Sequence, residues 1–237
     1  MIIKNLKILI KYFLISENLF LPSIRLLYFD LIKLKTRLWT QRMKKSYLKK
    51  NKNFPTKLHL GCGTRKIKTF LNIDIVNSEI NIDFAGQKLP FENDYFEIIV
   101  SQHVIEHLDL KYELEPLFKE LHRILKKDGF IYLSCPSIKK ICESYVNNGC
   151  ETLIEGKKRR FSNYSLDGYP NTQIVNQLFN EGSHKNLFDY ELLSYSLNKC
   201  GFKSVVEIDE KIFLDKLKNF PKRMDDEQTL YIYATKY

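Results

Sequence analysis

Leu58-His59-Leu60-Gly61-Cys62-Gly63, followed by Leu71-Asn72-Ile73-Asp74-Ile75, is the stretch that decides the fold. An apolar run enters a Gly-x-Gly turn, and a second apolar run ends in an acid. An α/β chain builds a nucleoside site in this way, at the carboxyl ends of two neighbouring strands. The spacing narrows the ligand. Asp74 follows Gly63 by 11 residues, whereas a dinucleotide fold places its acid roughly 20 residues on, after a full helix. Lys66 stands where the third glycine of that fingerprint belongs. Without room for a helix there is no strong helix N-terminus to hold a pyrophosphate, so a nucleoside free of phosphates fits better.

Working outward, apolar strands alternate with helices from Lys57 onward. The pattern predicts strands at 57–60, 71–75, 79–83, 96–101, 129–135, 203–208 and 229–235. The clearest helix is 113–127, where Leu114, Leu117, Phe118, Leu121, Ile124 and Leu125 recur at helical steps. Pro116 suits its first turn, and Asp128-Gly129 suits its end. A second helix, about 187–200, stops at Gly201. The reading is α/β: a Rossmann-like, mostly parallel seven-stranded sheet with helices on both faces. The last two strands show no convincing helix between them, so an antiparallel last strand is expected. An extra helical arm precedes the sheet.

The chain has 237 residues, 44% of them apolar and 13% aromatic, enough for one sizeable globular domain plus an appendage. Residues 1–57 carry fourteen of the 38 Lys and Arg and two of the 28 acids, a net +12, which leaves −2 for the remainder. The body is therefore near neutral, and a broad nucleic-acid-binding face on it is not expected. Five scattered cysteines with no CxxC pair read as free thiols of a reducing cytosol. A zinc site from Cys135, Cys142 and Cys150 has no support from ligand spacing.

The arm is expected over residues 1–52, with the catalytic domain over 53–237. Lys4, Lys7 and Lys11 interrupt its apolar run, so neither a secretory signal nor a spanning helix is expected. It reads as two amphipathic helices. The first places Ile2, Ile3, Leu6, Leu9, Ile10 and Phe13 on one face; Ser16-Glu17-Asn18 and Pro22 break it; Ser23 caps the second, where Ile24, Leu27, Leu31, Leu34 and Leu38 recur at steps of three and four. Three readings stand: an arm packed on the body, an anchor at an anionic membrane surface through residues 1–45, or a short dimer seam. The oligomeric state is left open. Lys44, Lys45, Lys49, Lys50 and Lys52 read as a solvated linker.

The ordered motifs resemble the class I S-adenosylmethionine-dependent methyltransferases. They are most similar to the small, type 11-like branch often encoded beside bacterial surface-polysaccharide genes. The residues that carry the likeness are the glycine turn, Leu-Asn-Ile-Asp-Ile, Ile82-Asp83-Phe84, Leu89-Pro90-Phe91, Ser101-Gln102-His103-Val104-Ile105-Glu106-His107, Leu121-His122-Arg123-Ile124-Leu125, His184-Lys185-Asn186-Leu187-Phe188 and Gly201-Phe202. The resemblance covers 57–135 densely and 184–236 loosely. His59 stands where many members carry an acid, Arg65 where a third glycine is common, and Glu97 in place of an Asp.

The resemblance implies S-adenosylmethionine as cofactor, held by Leu60, Gly61, Cys62, Gly63, Asp74, Ile75, Asp83, Phe84, Ser101 and Gln102. Glycine lets backbone approach the cofactor, Asp74 suits both ribose hydroxyls, and Asp83 suits the adenine amino group. A hydroxyl acceptor needs a general base, for which His103 is the first candidate and His184 the second. His103-x-x-Glu106-His107 also matches a zinc-protease signature, but the same letters occur in this family without metal, so no metal is expected and Glu106 and His107 read as groups that pack and hydrogen-bond the helix onto the sheet. Residues 137–186 read as a substrate lid, with Lys157-Lys158-Arg159-Arg160 facing a phosphate or carboxylate and Phe161, Tyr164 and Tyr169 offering sugar-stacking faces. The expected function is O-methylation of a sugar or surface-glycan intermediate. RNA or a lipid or quinone precursor is the alternative substrate, and a non-catalytic binding member the alternative class.

Overall fold

The computed structural model describes residues 17–85, 88–180 and 184–237, with side chains described from residue 27 onward in the N-terminal helix. The first amphipathic helix of the arm lies outside these residues. Seven strands form one sheet: β1 Lys57–Leu60, β2 Leu71–Asp74, β3 Ile80–Asn81, β4 Phe96–Gln102, β5 Leu125–Pro136, β6 Lys203–Ile208 and β7 Thr229–Thr235. Their spatial order is β3-β2-β1-β4-β5-β7-β6. β1 to β5 pair in parallel, and β7 runs antiparallel to both β5 and β6. The Rossmann-like sheet and its antiparallel last strand are as expected.

Period-two alternation gives the sheet two apolar faces. Leu58 and Leu60, Ile99, Ile131 and Leu133, and Ile232 and Ala234 share one core with Leu117, Phe118, Leu121, Leu193 and Leu197. Those last five come from helices α2 (Glu115–Ile124) and α6 (Tyr190–Lys199). Val100, Tyr132 and Tyr231 face the other way and meet Ile67, Phe70, Phe213 and Phe220. Phe213 lies on α7 (Glu210–Lys216), which Asp209 caps by accepting the Ile212 N–H. The expectation of no helix between β6 and β7 is therefore corrected. A seven-residue helix with one apolar side gives too short a periodic signal to read.

Two further boundaries shift. Helix α2 ends at Ile124, before the expected residue 127, because Leu125 already pairs with Phe96 at the start of β5. Asp128, at φ 60°, then turns the strand. Between β5 and α6 the insert folds into three helices, α3 (Ile138–Asn148), α4 (Glu151–Arg160) and α5 (Gln173–Asn180). They share a small core of Ile141, Leu153, Ile154, Ile174 and Leu178.

The arm is one unbroken helix, α1 (Glu17–Asn51), running through Pro22 and Ser23. The expected break and second start are thus corrected, and residues 44–51 are helix rather than linker. Docking supplies what propensity does not, as for most helices in proteins. Thr36 donates its hydroxyl to the Ile75 carbonyl (3.0 Å), Thr40 to the Asn81 carbonyl (2.9 Å), and Lys44 its ammonium to the Pro90 carbonyl (2.6 Å). The helix thereby lies along the β3 edge of the sheet.

Candidate functional site

The site lies at the carboxyl ends of the parallel strands, where β1 sits between β2 and β4 and the chain direction of winding reverses. The turn after β1 is closed onto β2. Gly61 and Cys62 both donate backbone N–H to the Ile73 carbonyl (2.8 and 3.2 Å). Asp74, at the end of β2, accepts the Gly63 N–H on Oδ2 (2.7 Å) and the Ile75 N–H on Oδ1 (2.6 Å). The glycine turn and the acid, 11 positions apart, are thus clasped together. A carboxylate has about four acceptor positions, so two remain for other donors.

The two glycines serve different ends. Both have positive φ, +68° and +51°, which favours glycine. A Cβ on Gly61 would lie 2.2 Å from Val104 Cγ2, so Gly61 admits the segment after β4. A Cβ on Gly63 would meet no atom within 4 Å, so this glycine presents bare backbone to the outside of the turn. Between them Cys62 is buried, and burial pushes its thiol up to about 11; it stays protonated and inert. Leu60 and Phe84 belong to the core on the first face.

His59 faces away from this site. Its ring packs edge-on against Phe220 and its Nδ1 lies 3.3 Å from Asn72 Oδ1. Burial lowers its pKa to about 4. Asn72, in the middle of β2, has a structural role that the motif does not reveal. It accepts the Ile67 N–H and donates to the carbonyls of Ile67 and Phe70. It therefore holds the loop that replaces the missing helix.

Asp83 is neither solvated nor free. It is buried, its Oδ2 takes the Arg37 Nε–H of α1 (2.6 Å), and its Oδ1 takes the Ala85 N–H (3.2 Å). Asp83, the acid expected on the adenine side, thus has both carboxylate oxygens engaged by the arm and by its own turn.

The ends of β4 and β5 hold unsatisfied polar atoms. Ser101 Oγ, Gln102 Nε2 and Ser134 Oγ are buried and find no hydrogen-bond partner, and Gln102 and Ser134 are register partners. Buried polar atoms are normally paired. Three of them gathered at the strand ends, beside a bare glycine turn and a carboxylate, fit a polar nucleoside ligand with an amino-acid tail.

His103 follows directly, in the left-handed region at φ 53°. Its two nitrogens meet two carboxylates: Nδ1 is 3.4 Å from Glu106 and Nε2 is 3.3 Å from Asp225. Burial opposes its charge, but Asp225 and Glu106 outweigh that, and its pKa is raised. Burial likewise opposes ionisation of Asp225. The His103 hydrogen bond, the Arg223 guanidinium and the Tyr231 hydroxyl nevertheless hold its carboxyl well below the usual range. His103 is thus held between two carboxylates that favour its protonated form, which disfavours a general base. Asp225, Arg223 and Tyr231 were not foreseen.

His184 donates Nδ1–H to the Leu178 carbonyl (2.8 Å), and burial lowers its pKa. Its ring packs on His107, centroids 4.9 Å apart. Both candidate histidines therefore flank Glu106. Contrary to expectation, the Glu106 carboxylate accepts no hydrogen bond; its backbone carbonyl takes the N–H groups of Lys185 and Asn186 instead. The basic run is also corrected: Arg159 and Arg160 of α4 pair with Glu227 (3.2 and 2.9 Å) and Lys157 lies over the Phe161 and Tyr164 rings, so the run is engaged within the chain. Cys135, Cys142 and Cys150 form no cluster among the described residues.

Residues 68–133 match the family profile described as a methyltransferase domain. No curated protein matches the sequence. Among solved structures, the chain is similar to phosphoethanolamine N-methyltransferase 2 of Haemonchus contortus, in complex with S-adenosyl-L-methionine (TM-score 0.41, 15% identity, covering 76% of this chain and 48% of that one). It is also similar to a SAM-dependent methyltransferase from Archaeoglobus fulgidus (TM-score 0.44, 16% identity, 88% and 100%). A third, from Methanosarcina mazei, gives TM-score 0.42, 17% identity, 76% and 91%. The chain spans about half the length of the nematode enzyme.

Proposed function

We propose that this chain, whose residues 68–133 match a methyltransferase-domain profile, is a class I methyltransferase that uses S-adenosylmethionine to methylate an oxygen of a sugar or surface-glycan intermediate. The observation that carries the cofactor half of this reading is the clasp between Gly63 and the Asp74 carboxylate at the end of β2, with unsatisfied Ser101 and Gln102 at the end of β4. The bound cofactor supplies an activated methyl group. The chain's own residues bind, orient and exclude water. Asp74 takes the ribose hydroxyls on its remaining acceptor positions. Leu60 to Gly63 and Ile75 present backbone, Asp83 and Phe84 form the adenine side, and Ser101 and Gln102 satisfy the polar tail.

For the acceptor, Phe161 and Tyr169 on the insert are exposed ring faces, suited to sugar stacking. Its two carboxylate neighbours favour the protonated form of His103, whereas burial favours the neutral form of His184. The test is transfer of labelled methyl from S-adenosylmethionine to a nucleotide-sugar or glycan extract. Label in the glycan fraction supports the reading. Label in RNA or lipid alone moves the substrate to those classes, and bound cofactor with no transfer moves the protein to the non-catalytic class.

We propose further that α1 rests on an anionic membrane surface. Leu27, Leu31, Leu34 and Leu38 are all more than half exposed and fall on one helix face. Thr36, Thr40, Met43 and Tyr47 dock from the opposite face. The sequence's leucine stripe is thus turned outward, flanked by Lys35, Arg42 and Lys45 at helical spacing. No helix among the described residues is long and apolar enough to cross a membrane.

A further inference from the structure

We propose that Glu106, His107 and His184 form a binding site for a first-row divalent transition-metal cation. One ligand atom from each lies within 4.8 Å of the others. Two imidazoles and a carboxylate make a borderline donor set that suits zinc or ferrous iron and leaves coordination positions open.

Three observations prepare the site. First, the Glu106 side chain is 1% exposed and neither oxygen accepts a hydrogen bond. His103 Nδ1 lies 3.4 Å from Oε1 without making a hydrogen bond to it, and Oε2 has no hydrogen-bond partner. A buried carboxylate in that condition is costly, and a bound cation would compensate it. Second, His184 spends its Nδ1–H on the Leu178 carbonyl, which leaves the lone pair on Nε2. Metal-ligating histidines are oriented in this way by a hydrogen bond from the other nitrogen. Third, the two chain segments that supply the ligands are already joined. The Glu106 carbonyl accepts the Lys185 and Asn186 N–H groups (2.8 and 3.1 Å), Asn186 Nδ2–H donates to the Leu108 carbonyl, and Lys185 pairs with Glu113 (2.6 Å). The ligands are therefore held in place by contacts that do not involve the metal. Lying just beyond the end of β4, the cation would offer its open positions to an oxygen ligand such as a hydroxyl.

The experiment uses the full chain, stripped with chelator and titrated calorimetrically with zinc chloride. The expected result is one zinc per chain, with His184→Ala and Glu106→Gln each weakening it at least tenfold. Circular dichroism and S-adenosylmethionine binding report that the variants fold. Substitution with cobalt(II) should give the visible bands of a nitrogen- and oxygen-ligated, low-symmetry ion. Thiolate charge-transfer absorption, equal zinc uptake by the His184→Ala variant, or no uptake by the wild type would each overturn the site. None of these outcomes bears on whether the cofactor binds, so the metal site and the methyltransferase reading fail separately.

Discussion

His59 and Asn72 sit side by side on one face of β1 and β2, and both are almost fully buried. His59 has a folded pKa of about 4 against an unfolded value of 6.5, because burial disfavours its charge. From about pH 6.5 down to about 4 the unfolded chain takes up a proton that the folded chain refuses. Stability from this residue is therefore complete above pH 6.5 and falls as the pH drops through that window, by about 3 kcal/mol in all. Urea unfolding of His59→Asn at pH 7.5 and pH 4.5 should show a smaller loss than wild type; an equal loss would show that His59 is not the group responsible. The glycines offer a second contrast. Gly61→Ala meets both Val104 and a left-handed φ, and should cost about 3 kcal/mol. Gly63→Ala meets only the φ, and should cost about 1 kcal/mol while weakening cofactor binding. Thermal unfolding and calorimetry of the two variants separate these effects. At this scale Asp74 and the glycines were legible, because a turn and an acid at a fixed short spacing carry their meaning locally. The state of His103 was not, because Asp225, itself held by the Tyr231 hydroxyl, reaches it from a distant part of the chain.

Among elements, α1 departs most from its sequence. Pro22 and the polar residues before it argue for a break, and the leucine stripe argues for a buried seam. The helix instead docks through two threonine hydroxyls, Met43 and Tyr47, none of which stands out in a hydrophobic pattern. Arg37 on this helix is the partner of Asp83. Arg37→Ala leaves a buried carboxylate without its cation. Because the guanidinium is 44% exposed, the loss in stability should be about 2 kcal/mol rather than that of a fully buried pair. It should fall with added salt, in a urea titration at two ionic strengths; no loss would mean that water replaces the pair. The strands were legible to different degrees: β1, β6 and β7 have their expected bounds, whereas β3 is only Ile80–Asn81 of the expected 79–83 and β5 begins at Leu125 rather than 129. A short apolar run between turn signals marks a strand more clearly than seven residues mark a helix such as α7.

For the whole molecule, the charge is divided as sharply as the fold. The +12 of residues 1–57 accompanies an outward leucine stripe, while the sheet domain is near neutral. Flotation with anionic vesicles should carry the wild type upward, and a Leu31→Glu, Leu38→Glu variant should stay in the soluble fraction. Neutral vesicles should carry neither, and equal recovery of both proteins with anionic vesicles would remove the membrane role. The central claim concerns the other end of the molecule. Native mass spectrometry of the wild type and of Asp74→Ala, each mixed with S-adenosylmethionine, tests it most directly. One cofactor bound per wild-type chain, lost in a variant that keeps its circular dichroism, is the predicted result. Equal binding by the two, or none by the wild type, would contradict it.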